Sequence, residues 1–336
     1  MESKQVPLVS SEYATLWVVY QKKSMMVQVI GRFASINQDP EITEILQTFL
    51  DKEKEFVNEI ADIFKQEGAA VPVAFTENDV YPDAPRLFDD IYHAQYLRMM
   101  MKIATGIHAL HMSMTYRADI MALYKKFSAF AEENCEKTTQ LLLNRGALSK
   151  SPAVTAPDHV AFAKEKDYRD GFKLSGQRRS LNMVEVAYLY QGIESNVTGM
   201  KLMTGAAQVA KEKEIRKYFF RGKEISKSII SKFSNVLMDS DINAPTTSAG
   251  LVTDSTTAPF SDKLFMYNTS LLSTFGLGSS ALGTSFSLRN DLPLKMAMAG
   301  KDIFNFASDG GNLMIKYGWT EEPPQMVDRT KLSKDK

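Results

Sequence analysis

The residues with chemistry to offer are few: His93, His108, His111 and His159, the lone Cys135, and carboxylates spread along helical stretches. A dinuclear iron or manganese centre between helices needs two Glu-x-x-His motifs and two further glutamates. Inward carboxylates neutralise the metal charge, and a histidine at i+3 shares their helix face. Glu-x-x-His occurs nowhere in the chain. Asp90-Ile-Tyr-His93 has the spacing but opens a helix, where an acid serves the positive end of the dipole. His108 and His111 lie one turn apart on a common face and are weak candidates for one metal ion, if carboxylates arrive from another helix. Glu12 and Glu185 read as first-turn acids. Cys135 has no histidine near it in sequence, which suits a structural thiol; a single cysteine excludes an internal disulfide and a cysteine-based zinc site, and points to a reducing compartment. The chain lacks a Gly-x-Ser-x-Gly elbow, a Gly-Lys-Ser/Thr phosphate loop and a dinucleotide fingerprint. The expectation is no catalytic residue, no cofactor, and more weight against an enzyme than for one.

The elements that must carry these residues follow from hydrophobic spacing. Leu16, Val19, Tyr20, Val27 and Ile30, then Ile42, Ile45, Leu46, Phe49, Val57, Ile60 and Phe64, recur at three- and four-residue steps. These are two amphipathic helices meeting near residue 38. Ser10 or Ser11 is the expected cap of the first, and Asp39-Pro40-Glu41 opens the second. Three prolines between 69 and 85 bar a long helix there. A third helix is expected over about 86–114, and a fourth from Asp119 to Gly146.

The same programme then repeats. At a shift of 173, Leu8, Glu12, Leu16, Ala34, Ile42 and Pro72 meet Leu181, Glu185, Leu189, Ala207, Ile215 and Pro245; a shift of 174 pairs Ala84-Pro85 with Ala258-Pro259, and 173 returns for Asp89 and Asp262. At 172, Arg117-x-Asp119 meets Arg289-x-Asp291 and Gly146 meets Gly318. The expected layout is a first four-helix bundle over 8–146, a linker over 147–180, a second bundle over 181–318 and a loose tail over 319–336. Helix two rises about 42 Å, and 17 extended residues reach about 55 Å, so each middle connection can return along its bundle. One such crossover between helices two and three is the ferritin-like arrangement, so the fold class is all-α, with two tandem ferritin-like four-helix bundles.

Composition narrows partners. The chain has 336 residues, with 40 basic and 40 acidic side chains, which removes the bulk electrostatic case for nucleic acid. Residues 1–11 lack an apolar stretch of signal-peptide length, so export by that route is not expected. The uncharged stretch 264–288 is rich in serine, threonine and glycine and reads as a tightly packed helix, not an integral membrane segment. Eighteen methionines suit a flexible helical core with room for a small apolar ligand. The neutral total conceals an imbalance: 40–67 holds three bases and eight acids, while 211–238 holds eight bases and three acids. The two segments are either solvated faces that have drifted apart in charge or face opposite-charge surfaces, across the bundles or between molecules stacked head to tail.

The tandem layout, the Ala-Pro-ended crossovers and the turns Tyr116-Arg-Ala-Asp-Ile120 and Leu288-Arg-Asn-Asp-Leu292 together resemble the duplicated ferritin-like proteins of unknown function from Bacillus-type spore formers, which are similar in fold to spore coat F-like proteins. The resemblance spans about 8–318. It implies a helical, cytoplasmic or spore-associated protein and no particular reaction, and it carries over no active-site residue. A structural or interaction role in sporulation or stress leads. The alternatives are a metal-binding oxidoreductase or storage protein with a non-standard site, and a carrier of a small apolar ligand.

Overall fold

The computed structural model describes residues 6–164, 166–172, 179–245 and 250–334; parts of the expected linker (165, 173–178) and the last two tail residues lie outside that range. The first half consists of α1 (Ser10–Ile36), α2 (Pro40–Gln66), α3 (Asp90–Ser113) and α4 (Ala118–Asn144). The second consists of α5 (Met183–Val209), α6 (Lys213–Met238), α7 (Asp262–Phe286) and α8 (Asp291–Lys316), followed by a short α9 (Arg329–Lys334). The chain is all-α in two tandem halves of four helices. In the first half, α2 and α3 both run away from the centre of the molecule, joined by the returning crossover 67–89, as the ferritin-like reading requires.

Local chemistry explains the helix ends. Asp39 accepts from the Glu41 and Ile42 amides and Pro40 occupies the first turn. The cap of α1 is Val9, one residue earlier than expected, while the Ser11 hydroxyl donates to the Met114 carbonyl. Gly68, Gly146 and Gly318 take left-handed backbone after α2, α4 and α8. In each case the following amide bonds back to a carbonyl five residues earlier: Ala69 to Phe64, Ala147 to Leu142 and Trp319 to Met314. After α6 the same position falls to Asp241, with φ of 58°.

The structure revises the repeat register. The one-residue slip lies inside the crossover, and from Val80 onward the shift is 172. Asp89 and Ser261 are the equivalent caps of α3 and α7, accepting from the Tyr92 and Leu264 amides. Asp262 therefore matches Asp90. Both clamp the turn between the preceding helices: Asp90 accepts from the Gln38 amide, and Asp262 from those of Lys211 and Glu212. The 174 pairing of the Ala-Pro dipeptides reflects composition.

The two crossovers clasp each other. Val80 bridges Phe260 and Phe88 bridges Val252, both antiparallel. The Tyr81 and Thr253 amides donate to the carbonyls of Pro259 and Leu87, and those of Asp89 and Ser261 to Leu251 and Asp79. At the 172 shift each bond maps onto another of the four, so the halves are related by an internal two-fold axis. One core straddles that axis, with Phe33, Phe88, Tyr96 and Met100 from the first half packed with Met203, Phe260 and Phe265 from the second. Two smaller clusters fill the outer ends of the bundles. The halves are thus one body, and most of the buried methionines fill the shared core. The tail is partly tied down: Glu321 accepts from the Val73 and Ala74 amides of the first crossover.

An added Cβ at Gly146 or Gly318 meets nothing within 4 Å, so only the backbone conformation opposes substitution. Gly146→Ala and Gly318→Ala are each expected to cost about 1–2 kcal/mol in urea unfolding, and Asp241→Gly to cost nothing or to stabilise. Equal effects at all three positions would contradict this reading.

Candidate functional site

The interior of the first bundle carries charge that no motif announced. Lys22 and Lys23, adjacent on α1, are both buried. The Lys23 Nζ is 2.9 Å from the Glu53 carboxylate of α2, each side chain 3% exposed, and lies over the rings of Phe127 and Phe56 at 4.2 and 4.7 Å. Burial pushes the Lys23 ammonium down, against the pull of Glu53. Lys22 Nζ has no hydrogen-bond partner, and burial followed by the charge of Lys23 lowers it to about 7.

His108 and His111 face this pair from α3. Their rings pack against Tyr124, and that of His108 also against Phe127. Neither nitrogen of His108 nor Nδ1 of His111 makes a well-formed hydrogen bond. Burial first, then the Lys22 charge, holds His108 well below its ordinary value and His111 at about 4. The structure thus gives the candidate metal pair a lysine where a carboxylate was required, and that lysine's charge repels a cation. Among the described residues, no three His, Cys, Asp or Glu side chains converge. The signal missed in sequence was the Lys22-Lys23 dipeptide in the middle of α1, between the apolar runs 16–20 and 25–27.

The second bundle places Ser195, Asn196 and Ser226 where the first has Lys22, Lys23 and Glu53, with Ser280 and Gly283 in place of the histidines. Ser195, Asn196, Ser226 and Ser273 line a cavity of about 50 Å³, room for one or two water molecules. Close helix approach replaces bulk: a Cβ on Gly222 would fall 2.5 Å from Phe306 and one on Gly283 2.5 Å from Met296.

The other chemical residues have structural tasks. Glu12 and Glu185 are fully buried. Glu12 accepts from the amides of Val9, Tyr116 and Arg117. Glu185 accepts from those of Asn182, Leu288 and Arg289 and from the Arg179 guanidinium. Burial would raise both carboxyls; these donors outweigh it and hold them low. The first-turn acids therefore tie each bundle's opening helix to its last turn, where Arg117 and Arg289 grip Asp119 and Asp291 with paired bonds. His93 stacks on Phe33 at 4.0 Å, and its Nδ1 lies 2.9 Å from the Asn37 amide nitrogen. Burial, then Arg86 and Arg32, lowers it to about 3. His159 sits exposed beside Asp158 in the connector.

The roomy open space lies elsewhere. On the two-fold axis the Asn268 amide donates to the Tyr96 hydroxyl at 2.8 Å, an equivalent pair of positions meeting each other. Beyond it α3 and α7 diverge around a groove of about 880 Å³. Ile103, Gly106 and Leu110 of α3 and their equivalents Phe275, Gly278 and Leu282 of α7 line it, with Cys135, Glu132 and Glu136 on the α4 wall. Leu110 is 60% and Leu282 52% exposed. At the groove's end Lys102 and Arg98 pair with Glu194 of α5, joining the halves. No described helix is long and apolar enough to cross a membrane.

A family model described as "Protein of unknown function (DUF3231)" matches residues 1–160 and again 169–332. The chain belongs to this family. Its two DUF3231 units coincide with the two helical halves. No curated protein matches the chain. Among solved structures it is similar to a "putative spore coat protein" from Bacillus halodurans, at 15% identity and a TM-score of 0.41, over 45% of this chain and 98% of the other.

The buried bases of the first DUF3231 unit set a pH dependence. An unfolded histidine takes up protons near 6.5, whereas folded His111 resists to about 4 and His108 and His93 lie lower too. The unfolded chain binds more protons in that window, so stability falls as pH drops from 6.5 towards 4. Lys22 adds a rise in stability between about 7 and 10.5. His111→Gln is expected to shrink the loss between pH 6.5 and 4.5 by roughly 1–2 kcal/mol, allowing for its partial exposure. Urea unfolding at both pH values measures this, and an unchanged loss would count against it.

Proposed function

We propose that this protein is a non-catalytic structural protein that self-associates through the groove between its halves. The observation that carries this reading is the apolar stripe presented twice about the internal axis, with Leu110 and Leu282 open to solvent and Phe275 between them. The buried ionisable groups support it from the other side. Lys23 and Glu53 are sealed within helix packing, and the buried carboxylates of Glu12, Glu185 and Asp262 are occupied by turn amides. The open space is apolar, which suits binding more than chemistry.

Charge segregation favours a second copy as the partner. No ion pair joins α2 to α6 among the described residues. Most acids of α2 are paired within the first half, which leaves Glu44 and Asp51 of α2 and Lys213, Lys217 and Lys227 of α6 without an ion pair among the described residues and open to molecules stacked head to tail. A sporulation- or stress-associated role, cytoplasmic or spore-associated, accompanies this reading through the resemblance of the turns.

Sedimentation velocity over a range of protein concentrations tests the proposal. The native chain is expected to associate, more weakly as salt rises, and Leu110→Lys/Leu282→Lys to weaken association at least tenfold while keeping its helical melting transition. A native chain that sediments as a monomer throughout would overturn it.

A further inference from the structure

The chain's last segment matches the groove in both of its properties. Residues 326–334 end in α9, a six-residue helix with no buried residue. Met326, Val327 and Leu332 are 82%, 65% and 57% exposed. So short a helix is marginal in water without a surface to pack on. Arg329, Lys331 and Lys334 accompany the apolar residues, and none of them forms an ion pair among the described residues. Among the described residues the segment is thus apolar and without a packing partner, carries three bases against the single acid Asp328, which caps α9, and begins five residues after the anchor at Glu321.

The groove offers the complement. Its floor is apolar, and a Cβ added at Gly106 or Gly278 would meet nothing within 4 Å, so the space between α3 and α7 is open. Glu132 and Glu136 lie on one wall a helical turn apart, with no ion pair among the described residues. From Ile103 to Leu110 the wall rises about 10 Å, close to the roughly 9 Å length of α9.

We infer that residues 326–334 of one copy dock in the α3–α7 groove of a second copy, with Met326, Val327 and Leu332 on its apolar floor and the basic side chains facing Glu132 and Glu136. The inference rests on the self-association proposed above and names the segment responsible. A tail in a neighbour's groove is a heterologous contact, which gives an open chain of molecules, or a closed ring if the rotation closes.

Charge reversal on each side tests it in the full chain. Glu132→Lys/Glu136→Lys and Arg329→Glu/Lys331→Glu/Lys334→Glu are each expected to associate at least tenfold more weakly than the native protein. All five sites are exposed, and unchanged melting transitions would confirm folding. Mixing the two variants is expected to restore association, because the reversed tail of one then matches the reversed groove of the other. Two variants that each associate normally, or a mixture that stays as weak as its components, would overturn the inference. If Met326→Asp/Leu332→Asp associates normally while Leu110→Lys/Leu282→Lys does not, the tail assignment fails and groove-mediated association stands. If the native chain is monomeric, both fail.

Discussion

The clasp between the crossovers is the constraint on which the molecule depends. Each crossover has to travel the length of its bundle with backbone groups that no helix can satisfy, and prolines keep it from becoming helical. Pairing the two strands across a two-fold axis satisfies part of that need and brings the inner ends of the bundles together. Phe88 and Phe260, carried by those strands, then enter a single core beside Phe33, Phe265 and Gly205. Separating the halves would expose this core along with the strands, so the duplicated chain packs as one body despite its repeat.

Within that frame the copies have diverged in how they fill their own axes. The first uses large and charged groups, with Lys23 and Glu53 paired under phenylalanine rings and Lys22 beside two histidines. A buried ion pair of this kind recovers little more than its desolvation cost, and losing one partner would be severe. The second uses glycine, serine and asparagine and draws α5 closer to α7. The turn clamps, in contrast, are common to both: a buried glutamate at the outer turn and an aspartate at the inner turn of each bundle. Helix ends leave unpaired amides wherever the interior is made, and a carboxylate is the compact acceptor for several at once.

Much of the fold was legible in sequence because it rests on periodicity and on residues with one conformational use. Gly146 and Gly318 marked helix ends through their left-handed backbone, and Asp39-Pro40 marked a helix start. The Arg-x-Asp turns announced the duplication, although their pairing with Glu12 and Glu185 was invisible, since a first-turn acid looks alike whether it faces water or a neighbouring turn. The register through the crossovers misled because chance Ala-Pro dipeptides competed with strand positions that have no periodic mark. The candidate site was less legible still. His108 and His111 were correctly seen to share a face, but their surroundings are set by Lys22, from a helix some eighty residues earlier. The groove arises only where α3 and α7 diverge, a matter of packing between copies that neither copy's sequence encodes alone.

The contact between Tyr96 and Asn268 has a consequence for the history of the chain. A true two-fold axis brings each residue against its own twin, so two identical subunits would place tyrosine against tyrosine or asparagine against asparagine there. A phenol that accepts from a carboxamide needs two different residues on the axis. Two non-identical halves can hold such a complement, and the covalent link supplies one of each in every molecule. By fixing that difference at its centre, the linked chain has given up the interchangeability of its halves.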